Sequence, residues 1–94
     1  MPRPFNVEVV TPEGVLFSDD AEMLSLRTPE GEIAFLAGHS PMVGEVIGGD
    51  VRIQVSAGDE RVISVAAGFV NVARNNAVVI ADELHTSEAL GGLS

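Results

Sequence analysis

The feature that most constrains this chain is a series of short segments in which apolar and polar residues alternate. In the clearest, residues 51–56, the alternation is unbroken. A period of two places successive side chains on opposite faces of a β-strand, so that one face is buried and the other solvated. Further strand-like segments lie at 6–11, 22–27, 33–36, 61–65, 68–72 and 77–81. The last has no polar alternation, which predicts a strand buried on both faces. The sequence therefore predicts an all-β fold.

Turn-forming residues separate these segments at short intervals. Gly and Asn tolerate a positive φ, Pro fixes φ, and Asp hydrogen-bonds to its own backbone. Turns are predicted at 12–14, 18–20, 29–31, 48–50, 57–60 and 74–76. Short strands with frequent turns are typical of a β-sandwich or a small barrel. The only helical start, at 86–90, meets Gly91 and Gly92, which would end it.

Chain length limits the number of domains. With 94 residues and 9.8 kDa the chain supports one modest core. It is too short for a doubly wound nucleotide-binding domain or a βα barrel. We predict one domain over residues 1–84 and a frayed tail over 85–94. No apolar run approaches the ~20 residues that span a bilayer, so we expect an intracellular protein without direct membrane insertion.

The charge balance restricts the kinds of partner. Fourteen acidic and five basic residues give a net charge of -9. Nucleic acids and anionic lipid surfaces are bound through clusters of Lys and Arg, so neither is an expected partner. The charge is compatible with docking onto a basic protein surface. The absence of Cys excludes disulfides and thiolate metal sites.

Residues that could carry catalysis or bind a metal are few. His39 and His85 are the only histidines, and nothing in the spacing of His39 and Ser40 indicates a nucleophilic site. Asp82, Glu83 and His85 are an oxygen and nitrogen set that suits several divalent ions. A solvated tail is the favoured interpretation of that set, since no second shell accompanies it. We therefore expect no enzymatic activity, no cofactor and no metal.

One segment, residues 29–42, combines a tight turn, an apolar strand and a loop that holds Gly, His and Pro together. Loops placed on a rigid sheet often carry function. The plainer interpretation is a hairpin followed by a stiff connection, in which His39 bonds to local backbone. From the residues alone both interpretations remain open.

Within this segment, Gly-Glu-Ile at 31–33 followed by Ala-Gly-His-Ser-Pro at 37–41 resembles the GE(I/L)…xGHxP signature of the F-type ATP synthase epsilon subunit. The mitochondrial counterpart of that subunit is called delta. Further segments resemble the family in order, namely 9–13, 16–18, 67–72 and 76–82. The resemblance extends over residues 5–83, nearly the whole chain.

The resemblance implies a flattened β-sandwich of about ten short strands, in agreement with the strand pattern. It also implies a non-catalytic subunit at the foot of the rotating central stalk. Such a subunit links the gamma subunit to the membrane c-ring and couples ion translocation to ATP synthesis. It is peripheral, at the cytoplasmic face of a bacterial plasma membrane or an equivalent membrane. The alternative is a free-standing β-sandwich adaptor module that binds another protein.

The resemblance also implies contact residues. Those expected at the c-ring are Glu30, Gly31, Glu32 and His39. Those expected at the gamma subunit are Thr11, His39, Pro41, Met42 and Val43. Most family members continue after the sandwich as a helical hairpin that can inhibit ATP hydrolysis and in some binds ATP. This chain has no counterpart of that segment, so we expect no C-terminal helical hairpin and neither hairpin activity.

Overall fold

The computed structural model describes residues 4–84, the last two by their backbone alone, and this range contains strands but no helix. Its seven strands are β1 Phe5–Thr11, β2 Gly14–Ala21, β3 Met23–Thr28, β4 Gly31–Phe35, β5 Met42–Ser56, β6 Asp59–Ala73 and β7 Asn76–Leu84. The predicted all-β fold class is confirmed. None of residues 4–84 forms a helix with the length and apolar character needed to cross a membrane. The helical start at 86–90 and the tail at 85–94 lie outside the described residues, so both stay predictions, as does the domain limit.

Two strands are longer than the sequence pattern indicates. β5 and β6 each span 15 residues. The segments 61–65 and 68–72 are two halves of β6, and β5 joins 51–56 to residues from Met42 onward. This merging is why the described residues form seven strands where about ten short ones were expected.

Two predicted turns are wrong for the same reason. Residues 48–50 lie inside β5, and residues 18–20 lie inside β2. Gly and Asp permit a turn without requiring one. Here the backbone of each segment is paired with a neighbouring strand, so it stays extended. Asp50 pairs with Ser64, and Ser18 pairs with Glu8. The other four predicted turns connect consecutive strands, and are therefore confirmed.

The strands form one sheet in the order β2-β1-β7-β6-β5-β3-β4. All neighbours are antiparallel except β1 and β7, which are parallel. The first half of β5 and the second half of β6 continue into β7, β1 and β2, which we call the first layer. The remaining halves of β5 and β6 continue into β3 and β4, which we call the second layer. One long hairpin therefore belongs to both layers.

The sheet folds over so that its two halves face each other. β2 contacts β5 although three strands separate them in the sheet. At the corner between β2 and β3, the Glu22 N–H donates to the Gln54 carbonyl oxygen at 2.7 Å and so extends the β3–β5 ladder up to the end of β2. The Arg61 guanidinium carbon of β6 lies 6.0 Å from the centroid of the Phe17 ring of β2. A hydrogen bond from Arg61 to Asp59 raises the pKa of the guanidinium, which stays cationic above the ring. These contacts produce the flattened sandwich.

The hydrophobic core fills the space between the layers. Both layers contribute alternate side chains, as the period of two requires. Its members are Phe5, Val7, Val9, Phe17, Ala21, Leu24, Leu26, Phe35, Val46, Val51, Ile53, Val65, Val70, Val72, Ala77, Val79 and Ala81. Thr28 is the only buried residue with a polar side chain among the described residues. Its hydroxyl is hydrogen-bonded within a turn.

Among the glycines of the described residues, Gly68 has the closest neighbouring backbone, at the point where the ladder between β6 and β7 shifts register. A methyl group on Gly68 would overlap the Ile80 carbonyl oxygen and lie 3.1 Å from the Ala81 Cα. Both are backbone atoms held by the ladder, so they cannot move aside cheaply. We expect Gly68→Ala to lower the free energy of unfolding by about 2 kcal/mol and the Tm by roughly 10 °C.

Thermal unfolding followed by circular dichroism measures this effect, and Gly44→Ala is its control. A methyl group on Gly44 would meet the terminal methyl carbon of Met42 at 3.0 Å, the movable end of a flexible side chain. We expect little change for Gly44→Ala. Equal Tm values for the two variants would contradict the close approach of β6 and β7.

Candidate protein-docking surfaces

The turn between β3 and β4 presents two of the acidic residues expected at the c-ring. The Thr28 hydroxyl donates to the Gly31 carbonyl oxygen at 2.9 Å and accepts from the Glu30 N–H at 3.2 Å. Thr28 is only 2% exposed, so the turn is anchored to the core. Glu30, Gly31 and Glu32 are all exposed. The turn therefore holds two carboxylates in solvent on a rigid support.

The turn between β1 and β2 repeats this construction. Residues 11–14 and 28–31 are both Thr-Pro-Glu-Gly. The Thr11 hydroxyl donates to the Gly14 carbonyl oxygen and accepts from the Glu13 N–H, each at 3.2 Å. Thr11, expected at the gamma subunit, thus already hydrogen-bonds within its own turn. The identical tetrapeptides predict that the two turns share one geometry, a relation that the separate turn predictions did not use.

The loop between β4 and β5 fixes His39 through local contacts. The imidazole Nδ1 of His39 lies 2.7 Å from the Ser40 carbonyl oxygen. The backbone N–H of His39 donates to the Leu36 carbonyl oxygen at 3.1 Å. The imidazole packs edge-on against Phe35, with ring centroids 4.7 Å apart. The interpretation in which His39 bonds to local backbone is therefore confirmed.

Asn75 ties this loop to the rest of the first layer, a role that sequence reasoning missed. Its Oδ1 accepts from the Gly38 N–H at 3.0 Å, and its carbonyl oxygen accepts from the Asn6 N–H at 3.0 Å. Arg74 and Asn75 have φ values of 52° and 58°, as a two-residue hairpin turn requires. The Asn residues of the turn are evident in the sequence. The hydrogen bond between Gly38 and Asn75 joins residues 37 positions apart and could not be predicted from it.

The structure does not bring the predicted c-ring residues together. Glu30, Gly31 and Glu32 lie at the start of β4, whereas His39 follows its far end. Through Asn75, the His39 loop lies beside the start of β1, while Thr11 lies at the end of that strand. The predicted gamma residues are therefore also divided between two ends of the first layer.

Met42 and Val43 point in opposite directions, as neighbours on a strand do. Met42 is half-buried and packs against the core. Val43 is 73% exposed, and Pro41 is exposed beside it. Of the two apolar side chains expected at the gamma subunit, Val43 is thus available to a partner and Met42 supports the surface from beneath.

A diagonal band of apolar side chains crosses the outer face of the first layer. Phe69 pairs with Ile80, Ile80 with Val10, and Val10 with Val15. Phe69 is 49% exposed and Ile80 43%, Val15 is exposed, and Val10 is half-buried. On β5 the direct partner of Phe69 is the exposed Glu45, and Val43, which pairs with Asn71, lies diagonally from Phe69. We call Val43, Phe69, Ile80, Val10 and Val15 the apolar stripe.

The outer face of the second layer is polar. It carries a cleft of about 380 Å³ lined by Arg27, Glu32, Gly49, Asp50 and Arg52. Val62, 48% exposed, is a large apolar side chain on this face, and Leu36, 54% exposed, directly follows β4. The two outer faces therefore differ sharply in polarity.

Within residues 4–84, no three His, Cys, Asp or Glu side chains are grouped as metal ligands. The set Asp82, Glu83 and His85 includes a residue outside the described range, so the expectation that this set binds no metal stays a prediction. No buried side-chain nitrogen or oxygen of the described part lacks a hydrogen-bond partner. The described site geometry consists of surfaces suited to contacting other proteins.

Comparison with known proteins identifies the family to which the chain belongs. Residues 4–87 match the β-sandwich domain of the ATP synthase delta/epsilon chain. The ATP synthase epsilon chain of Bacillus pumilus is 39% identical over 86 residues, which are 92% of this chain and 65% of the relative. The sodium ion specific epsilon chain of Propionigenium modestum is 38% identical over 84% of this chain and 57% of its own. The chain thus spans about 57–65% of the length of these relatives.

Solved structures agree in fold. A chain of the Euglena gracilis mitochondrial ATP synthase, solved with OSCP, F1 and the c-ring, matches with a TM-score of 0.80 at 20% identity, covering 88% of this chain and 53% of its own. A chain of the Tetrahymena thermophila central stalk and c-ring matches with a TM-score of 0.75 at 13% identity, covering 99% and 74%. From the family match over residues 4–87 and the relatives above 30% identity, the chain belongs to the ATP synthase delta/epsilon family.

Proposed function

We propose that this chain is a non-catalytic subunit of the central stalk of an F-type ATP synthase. It links the gamma subunit to the c-ring and couples ion translocation to ATP synthesis. The observation that carries the proposal is the apolar stripe on one outer face of a domain whose other outer face is polar. Its relatives are ATP synthase epsilon chains, and the similar solved chains come from an assembly of OSCP, F1 and the c-ring and from one of the central stalk and c-ring.

The apolar stripe is the proposed contact with the gamma subunit. Contiguous exposed apolar side chains on a soluble domain mark a protein interface, and each Å² they bury contributes roughly 25 cal/mol. The stripe also connects the two separated groups of predicted gamma residues. Val43, beside Pro41 and the His39 loop, forms one end of the stripe, and Val10, adjacent to Thr11, lies near the other.

The turn at Glu30, Gly31 and Glu32 is the proposed contact with the c-ring. Its carboxylates can accept charge-assisted hydrogen bonds from basic residues of polar loops. A rim contact of this kind contributes about 1 kcal/mol or less by itself, so it sets orientation more than affinity. His39 lies at the other end of β4, and we assign it to the gamma side alone. Docking on the membrane ring makes the chain peripheral, at the cytoplasmic face of a bacterial plasma membrane or its equivalent.

We expect Val43→Asp and Phe69→Asp to prevent a one-to-one complex with the gamma subunit while the domain stays folded. Each change puts a carboxylate into a surface that binding would desolvate. The native mass of each variant mixed with purified gamma subunit from the same source measures the effect. Val62→Asp, a matched change on the polar face, is the control and should bind normally.

Two outcomes would count against this assignment. Normal binding by both stripe variants would remove the stripe from the interface. If the wild-type chain and the gamma subunit remained separate at micromolar concentration, the adaptor module would become the better interpretation.

We expect Glu32→Lys to lower the ATP synthesised per ion translocated, with no change in gamma binding. The substitution replaces an acceptor of hydrogen bonds by a cation facing a basic loop. Ion-driven ATP synthesis in membrane vesicles that contain the assembled synthase measures the coupling. Asp20→Lys, an exposed charge reversal at the far end of β2, is the control. Unaltered coupling in Glu32→Lys would exclude this carboxylate as an important ring contact.

A further inference from the structure

The β4–β5 loop, residues 36–41, crosses from one layer of the sandwich to the other. It follows Phe35, a core residue at the end of β4, and β4 belongs to the second layer. It ends at Met42, which pairs with β6 in the first layer. The loop therefore leads directly into Val43, one end of the apolar stripe.

The middle of this loop is held by a single residue from elsewhere in the chain. Both polar contacts of His39 stay inside the loop. The Gly38 N–H instead donates to the Asn75 Oδ1 at 3.0 Å. Outside the strand ladders, this is the one hydrogen bond within residues 4–84 that joins residues 36–41 to another segment.

Asn75 occupies a position that usually favours glycine. It is the second residue of the two-residue turn between β6 and β7, with a φ of 58°. Gly adopts a positive φ at no steric cost, whereas Asn tolerates it and also supplies a side-chain acceptor. The backbone carbonyl oxygen of Asn75 accepts from the Asn6 N–H at 3.0 Å, so the turn is fixed independently of the side chain.

We propose that Asn75 is a positioning residue for the gamma contact, because its side chain fixes the β4–β5 loop before the partner binds. This role rests on the proposed function, in which His39, Pro41 and Val43 face the gamma subunit. A loop already held in its bound conformation loses less conformational entropy on association, so the complex is tighter. Asn75 acts through Gly38, the neighbour of His39, and not through a contact of its own.

The hydrogen bond controls the loop without supporting the core. Gly38 and Asn75 are both exposed. The two ends of the loop are fixed by other means, since Phe35 is buried and Met42 lies in the β5–β6 ladder. Loss of the bond would therefore free the middle of the loop and leave both layers intact, which allows positioning to be tested apart from folding.

The test is the affinity of the chain for purified gamma subunit, measured by calorimetric titration. We expect Asn75→Gly to weaken binding about fivefold, because it removes the acceptor and keeps the φ of the turn. Asn75→Asp retains an oxygen acceptor and should bind nearly as well as the wild type. Arg74→Gly is the control, since it changes the other residue of positive φ in the same turn and leaves the bond in place. Wild-type affinity in Asn75→Gly would overturn the positioning role.

A second measurement distinguishes positioning from a general effect on the domain. A chain with His39→Ala and Pro41→Ala lacks the loop side chains assigned to the gamma subunit. In that background Asn75→Gly should cause no further loss of affinity, because the fixed loop no longer has a contact to present. An equal loss in both backgrounds would contradict an action through the loop. The Tm of Asn75→Gly should change little, since Gly relieves the positive φ while one exposed hydrogen bond is lost.

Hydrogen exchange of the Gly38 amide, followed by NMR in the free chain, reports the bond itself. Exchange should be faster in Asn75→Gly than in the wild type, and slow again in Asn75→Asp. Unchanged exchange in Asn75→Gly would show that the loop is held without Asn75, and would overturn the proposed role.

The outcomes also separate this role from the proposed function. Loss of gamma binding in Val43→Asp, together with wild-type binding by Asn75→Gly, would overturn the role and leave the proposed function standing. Failure of the wild-type chain to bind the gamma subunit would overturn both. Weaker binding by Asn75→Gly, with recovery in Asn75→Asp, would support Asn75 as the residue that positions the loop.

Discussion

The pairing of β5 with β6 is the interaction on which the rest of this structure depends. These two strands form the only hairpin of the described residues that belongs to both layers of the sandwich. Its register is the same on both sides of Gly48, with Ile47 opposite Ala67 and Gly49 opposite Val65, so one pair of strands continues from the first layer into the second. Gly68 permits the close approach of β7 on the other side of the hairpin. Without this hairpin the remaining strands would be two small sheets, each too small to bury a core by itself.

The same alternation that fills the core also determines the outer faces. On β6, Val70 points inward and Phe69 outward, and on β7 the same is true of Val79 and Ile80. A solitary domain gains nothing from exposing Phe69 beside Ile80, since burial of both would be favourable. The outer face of the second layer is polar instead, because its outward positions hold charged residues such as Arg27. The contrast indicates that one face is kept for a large apolar contact and the other for polar ones.

Much of the fold could be predicted because strand and turn signals are local. The segment 51–56 carries its period in consecutive residues, and four turns are determined by Pro, Gly or Asn. The continuous apolar run at 77–81 carries no period, and the prediction that both of its faces are buried is wrong, since Ile80 is 43% exposed. The continuity of β5 through Gly48 could not be predicted, because it depends on partners in β6 that are distant in sequence. The same limit applies to the surfaces. Which of Met42 and Val43 faces outward depends on register, which a short segment without clear alternation does not reveal.

The long hairpin also gives a physical account of how this domain would serve the proposed central stalk. Val43 of the apolar stripe and Asp50 of the polar cleft lie on the same strand, seven positions apart. Phe69 and Ser64 lie correspondingly on β6, the neighbouring strand of the ladder. A force applied to the stripe therefore reaches the cleft along hydrogen-bonded backbone, with no intervening loop that could absorb it. Close-packed cores and paired strands deform little, so the two surfaces must move together. Rigidity between these two unlike surfaces is the property that the proposed transmission of torque requires.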